Sequence, residues 1–162
     1  FFPQNSSGEA RVAQPLFISQ ADAGDNRLAK TPVRAASTTQ DGLTSNYDFF
    51  VFPTNITSIP IIRNEELLLI YAEAKVQLGG VANINDAVTA LNRIRNSAGL
   101  GNYSGALTQA AVIAEMLKQR RYSLYGEGHR WIDMRRYNLL ATLPIDRVGD
   151  DVWIEFPRPA NE

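Results

Sequence analysis

No cysteine occurs in the 162 residues. Disulfides, thiolate nucleophiles and cysteine-bound zinc are therefore excluded within the chain, and its redox compartment leaves no trace in it. Histidine is almost as scarce, with a single one at position 129. Zinc takes three or four ligands, so the rest of a transition-metal set would have to be carboxylates, which argues against such a site. Calcium can live on oxygen ligands alone, but "DAGDN" (22–26) lacks the spacing of an EF-hand loop. Neither sign of charge is in excess. Sixteen basic and 17 acidic residues leave a net charge of −1, without the basic stripe that a nucleic-acid partner calls for. Long apolar runs are missing too. "LLLIYA" (67–72) falls far short of the roughly 20 residues of a membrane helix, and Glu65, Glu66 and Glu73 crowd it. There is no Gly-x-Ser-x-Gly elbow and no Gly-rich phosphate loop. No signal peptide is visible, and the opening at Phe1 reads as the middle of ordinary sequence, so a partial chain is expected.

What is present is the mix of a globular protein: 44% hydrophobic and 20% charged residues, enough for one structural domain. Residues 1–60 are rich in Ser, Thr, Asn, Asp, Gln, Gly and Pro and predict a loop-rich segment with short strands, the best at 48–52. Residues 61–162 read as helical. Leu67, Tyr71, Ala74 and Leu78 recur at helical spacing until Gly79-Gly80 stops them. A second helix is expected from about Asp86 to Ser97, with Asn85 as N-cap and Ala87, Ala90, Leu91 and Ile94 as its apolar side. The short connection makes the two antiparallel, and Ala72, Ala74, Ala87 and Ala90 allow close approach, as in one tetratricopeptide-type pair. A third helix is expected from Thr108 to about Tyr125, with Val112, Ile113, Met116, Leu117, Arg120 and Leu124 inward. A shorter one follows over 129–139, and a strand over "VWIEF" (152–156). The predicted fold class is mainly α.

"GEGHRWIDMRRYN" (126–138) concentrates the chemistry. Glu127, Arg130, Asp133 and Arg136 stand three apart, a ladder of charge pairs along one helix. Trp131 and Met134 mark its apolar side. His129, in the first turn, can make one hydrogen bond that fixes the junction with the preceding helix. This reads as a scaffold corner rather than a catalytic centre, although a hydrolase using His129 with Asp133 or Glu127 is an alternative.

"QRRYSLYGEGHRWIDMRRYN" (119–138) resembles the C-terminal signature of the SusD/RagB family, roughly E-R-R-x-E-L-x-x-E-G-H-R-W-x-D-L-x-R. "GDNRL" (24–28), "PIIRNEELLLIYAEA" (60–74), "ALNRIRNSAGL" (90–100) and "FPRPANE" (156–162) are similar, in order and spacing, to four further elements of that family. Arg120, Arg121, Glu127, His129, Arg130, Trp131 and Asp133 fall on the structural motif. Gln119 and Ser123 stand where the family has glutamates, so Glu115 is the expected substitute partner for one arginine.

The resemblance implies binding rather than catalysis, and no cofactor. It implies the C-terminal part of a longer, mainly helical lipoprotein of the outer membrane, surface-exposed, as in the starch utilization system. The tetratricopeptide-like repeats, the signal peptide and the lipid anchor would lie outside this chain. The implied partners are a glycan or other nutrient and a SusC-like TonB-dependent transporter. Helix neighbours outside the chain would leave an apolar surface exposed on it. Sugars stack on aromatic faces, which makes Tyr47, Phe49, Tyr103 and Trp153 candidate ligand contacts, although each also suits ordinary packing. A helical-repeat adaptor with an apolar groove between the first two helices, or a peptide binder, are the alternative readings.

Overall fold

Three helices carry the core: α2 (Asn64–Leu78), α3 (Val81–Ser97) and α4 (Gln109–Ser123). The computed structural model describes residues 11–40, 42–54 and 56–155. Helices α2 and α3 form an antiparallel hairpin through Gly79 and Gly80, both in the left-handed region at φ 69° and 78°. Glu65 and Glu66 occupy the positive end of α2 and Lys75 its last turn, where each charge complements the helix dipole. Lys75 then bridges to Asp86 of α3 at 2.8 Å. Ala72, Ala87 and Ala90 are buried between the helices, where their small size lets the backbones approach. Helix α4 closes the other side, its N-terminus capped by the Thr108 hydroxyl, which accepts from the Ala111 N–H. Leu69, Val76, Leu91, Ile94, Val112 and Met116 meet between the three helices and are almost wholly buried.

The loop-rich segment is a jacket on α4. Helix α1 (Pro15–Ser19) sets Phe17 against Tyr122, with ring centroids 4.7 Å apart, and the Tyr122 hydroxyl donates to the Phe17 carbonyl at 2.9 Å. A 3-10 turn (Asn26–Lys30) follows. After it β1 (Val33–Gln40) pairs with β2 (Leu43–Tyr47) in an antiparallel hairpin whose register shifts between Val33 and Thr38. Residues 12 and 13 run beside the far end of β2, through a bridge between Val12 and Asp48 and a bond from the Ala13 N–H to the Tyr47 carbonyl.

The mainly α class and the tetratricopeptide-like pair hold, with four boundary corrections. The strands lie at Val33–Gln40 and Leu43–Tyr47 rather than at 48–52, because the Ser/Thr-rich run is the part that finds a partner. Helix α3 begins at Val81, five residues before the expected Asp86, because Ile84 is drawn into the core. Residues 152–155 form no strand, and residue 156 lies outside the described residues. The short helix expected over 129–139 is α5 (His129–Arg136), which ends at Arg136 with Tyr137 as its C-cap. The expected apolar face of α2 is also wrong. Leu69, Ala72 and Val76 are buried, while Leu67, Tyr71 and Leu78 are 50%, 45% and 73% exposed. The stripe at 67, 71, 74 and 78 is the outward one. An apolar surface on this chain was expected, and this is where it lies.

Candidate binding cleft

The site is built at the corner between α4 and α5. Gly126 and Gly128 both take positive φ, 81° and 82°, and let the chain turn between Ser123 and His129. A Cβ at Gly126 would stand 2.6 Å from the Phe49 ring, so the corner closes onto the segment after β2 only with glycine there. Asp133 then points back at α4. Its Oδ2 accepts from Arg120 Nε at 2.7 Å, in a pair that is almost wholly buried. Its Oδ1 accepts from Arg136 Nη2 at 2.8 Å, and Arg136 also holds Glu73 of α2 at 2.7 Å. The Tyr137 hydroxyl donates to the same Glu73 oxygen at 2.8 Å. One network thus ties α2, α4 and α5 together.

Cations converge on the end of α4. Lys30 Nζ donates to the carbonyls of Tyr122 and Ser123, at 3.2 and 2.7 Å. Arg63 Nη2 donates to the Ser123 carbonyl at 2.6 Å and pairs with Glu127. Arg27 donates to the Ser123 hydroxyl at 2.9 Å while Asp25 grips its other side at 2.7 Å. The terminal carbonyls of a helix lack intrahelical donors and carry the negative end of its dipole, which explains why positive side chains gather there. Burial, followed by repulsion from Arg63, lowers the Lys30 pKa. The Asp25–Arg27 pair escaped the sequence reading except as a family match. An acid and an arginine two apart just before a helical turn were its signal, since Asp25 also caps that turn.

Between this corner and α1 lies an open cleft of about 420 Å³. Phe17, Leu124, Tyr125 and Trp131 supply its apolar walls, and Arg121, His129, Arg130 and Asp133 its polar ones. Phe17 and Tyr125 stack at 4.0 Å. Burial pushes the Tyr125 phenol up to about 12, against the opposing charge of Arg121.

The structure brings six of the seven motif residues to this cleft: Arg120, Arg121, His129, Arg130, Trp131 and Asp133. Glu127 turns away to Arg63. The expected ladder is largely absent. Of its three pairs only Asp133–Arg136 forms, because Asp133 and Glu127 are claimed by arginines from other elements. Trp131 is half-buried rather than buried, and its Nε1 donates to the Trp153 carbonyl at 3.0 Å. His129 makes no hydrogen bond among the described residues. Its Nε2 lies 3.8 Å from Glu66 Oε1, so it neither fixes the junction nor pairs with Asp133 or Glu127. Glu115 does not replace a missing acid at Arg120 or Arg121 but pairs with Arg95 at 2.6 Å.

None of the four aromatic candidates lines the cleft. Phe49 packs behind it on Tyr125, with centroids 5.2 Å apart. Tyr47 is on β2. Tyr103 is half-buried over the core, and its hydroxyl donates to the Ala106 carbonyl. Trp153 is 52% exposed in a separate hollow walled by residues 144–147 and 149–152. Among the described residues no three metal-ligating side chains cluster, and no helix is long and apolar enough to cross a membrane.

The SusD family model matches residues 53–151, which runs from the segment before α2 through this corner and beyond. The chain belongs to the SusD family. A crystal structure of a SusD superfamily protein from Bacteroides vulgatus ATCC 8482 is similar to this SusD-family chain, with a TM-score of 0.56 at 23% identity. The similarity covers 73% of the chain but only 30% of that structure, so the present chain spans less than a third of its relative's length. No curated protein matches it. The closing "FPRPANE" element lies outside the described residues.

Proposed function

We propose that this SusD-family chain is the C-terminal part of a longer, non-enzymatic nutrient-binding protein that captures glycans at the cell surface. In this reading a lipid anchor outside the chain holds it to the outer membrane, and it delivers its ligand to a SusC-like TonB-dependent transporter. Family membership over residues 53–151 is the observation that carries the reading. The chemistry of the corner agrees with it. His129 faces Glu66 rather than a nucleophile and base in line, and Asp133 is saturated by two arginines. A buried carboxylate held this way is structural and is not available as a base. The exposed stripe of Leu67, Tyr71 and Leu78 on α2 is where further helices of the longer protein would pack.

Calorimetric titration of the full-length protein against a panel of oligosaccharides, with a peptide mixture beside them, tests the reading. Saturable heat with one glycan class is the expected result. Heat with peptides alone would move the ligand to another nutrient class. A second reading, an adaptor for protein partners, is favoured by a hollow of about 270 Å³ between α2 and α3, lined by Leu68, Tyr71, Ala90 and Arg93. Silence of a folded protein across the whole panel would favour it.

A further inference from the structure

Among the described residues, two arginines of the corner cleft have no carboxylate in hydrogen-bond or ion-pair contact. Arg120 and Arg136, on the same helices, are both matched by Asp133. Arg130 is half-buried and makes no hydrogen bond or ion pair among the described residues. Arg121 donates to the neutral Gln20 amide oxygen at 2.6 Å and otherwise lies over the rings of Phe17 and Tyr122, at 5.6 and 5.7 Å. A guanidinium keeps its charge, so leaving two beside each other in a partly desolvated wall is unfavourable unless something anionic sits between them. Burial, followed by repulsion from Arg121, draws the Arg130 pKa below its ordinary value.

We infer that the cleft between α1 and the α4–α5 corner takes an acidic sugar, whose carboxylate is held by Arg121 and Arg130 and whose ring lies against Tyr125 and Trp131. The inference rests on the glycan-capture reading and deepens it by naming the ligand's charge. Guanidinium matches carboxylate with parallel hydrogen bonds, which sets direction as well as charge. Aromatic walls suit the apolar face of a pyranose. The volume of about 420 Å³ falls low in the range of small-molecule sites, roughly 300–1,000 Å³. That suits a short terminal unit rather than a long polymer run. Among the described residues, no side chain of the cleft offers a free carboxylate to repel the ligand, since the acid in its wall, Asp133, is already paired twice.

The test is titration of the full-length protein with oligogalacturonate and with a neutral galactose oligomer of the same length. The protein is taken as wild type, Arg130→Gln and Arg121→Gln, each variant first shown to melt with the parent. The acidic oligomer should bind at least about tenfold more tightly than the neutral one, with a preference that weakens in high salt. Arg130→Gln should remove most of that preference, and Arg130→Lys should restore part of it. Equal binding of the two oligomers by wild type, or a preference that survives both glutamine variants, would overturn the acidic-sugar inference and leave glycan capture standing. Binding of neither oligomer, with other neutral glycans still bound, would do the same. A folded protein that binds no glycan of any kind would remove both.

Discussion

Asp133 is the side chain on which the corner depends. It receives Arg120 from α4 and Arg136 from α5, and its pair with Arg120 is almost wholly buried. Removing one member of such a pair leaves the other charged and unmatched. Asp133→Asn should therefore cost about 3–5 kcal/mol in denaturant unfolding. His129→Ala, by contrast, should cost less than about 1 kcal/mol, because the imidazole is partly exposed and no nearer than 3.8 Å to a carboxylate. A large loss with His129→Ala would mean that the histidine holds the junction after all. The sequence made the two residues look equivalent. Both stand in one motif, four apart on one helix, and nothing in that spacing reveals that an arginine 13 positions earlier occupies only one of them.

At the scale of elements, two carboxylates join segments that are remote in sequence. Asp22, in the loop after α1, holds Arg95 of α3 at 3.0 Å and Lys118 of α4. The hydrogen bond from Lys118 outweighs desolvation and, with Arg95, lowers the Asp22 pKa. Glu73 is lowered as well: burial opposes ionisation, but hydrogen bonds from Arg136 and Tyr137 overcome it. Both groups bind protons less readily folded than unfolded. Their contribution is complete above the ordinary carboxylate range near pH 4 and is lost as pH falls through their lowered folded values. Urea midpoints should accordingly drop as pH falls below about 4, and Asp22→Asn with Glu73→Gln should flatten that drop. An unchanged slope in the double variant would assign acid sensitivity to other groups.

The elements themselves were unevenly legible. Helix α4 was readable at both ends, since Thr108 caps it and Val112, Met116, Leu117 and Leu124 keep one inward face. Helix α2 was readable as a helix but not in its orientation. "LLLIY" places apolar side chains all around the axis, so any stripe drawn through it looks like a core. The β hairpin was hidden because "RAASTT" is mostly exposed and polar, without the alternation that marks a half-buried strand. The cleft was half visible. Its motif residues were picked out, but Phe17 and Gln20, from a segment read as loop, could not be placed opposite them.

The whole molecule shows an imbalance between its sides. The side of α2 facing α3 and α4 is packed, whereas the outward side exposes Leu67, Ile70, Tyr71 and Leu78, with Ile59, Ile61 and Ile62 in the approach to it. Contiguous apolar surface of this kind drives association. Expressed alone, the 162-residue chain should self-associate in sedimentation at micromolar concentration. Leu67→Lys with Ile70→Lys should restore a monomer without loss of helical signal. A monomeric parent would show that the stripe is tolerated in water and needs no covering helix.

The cations at the end of α4 also bear on the order in which the chain folds. Helices α2 and α3 are neighbours in sequence and can pair early, as local contacts do. The carbonyls of Tyr122 and Ser123, however, wait for Lys30 and Arg63, 92 and 60 positions upstream. Closing loops of that length costs chain entropy, so the corner is expected to assemble after the α2–α3 pair. The cleft is built on that corner. Its walls are therefore drawn from both ends of those long loops, and a ligand seated in the cleft would brace contacts that the chain makes only after that pair has formed.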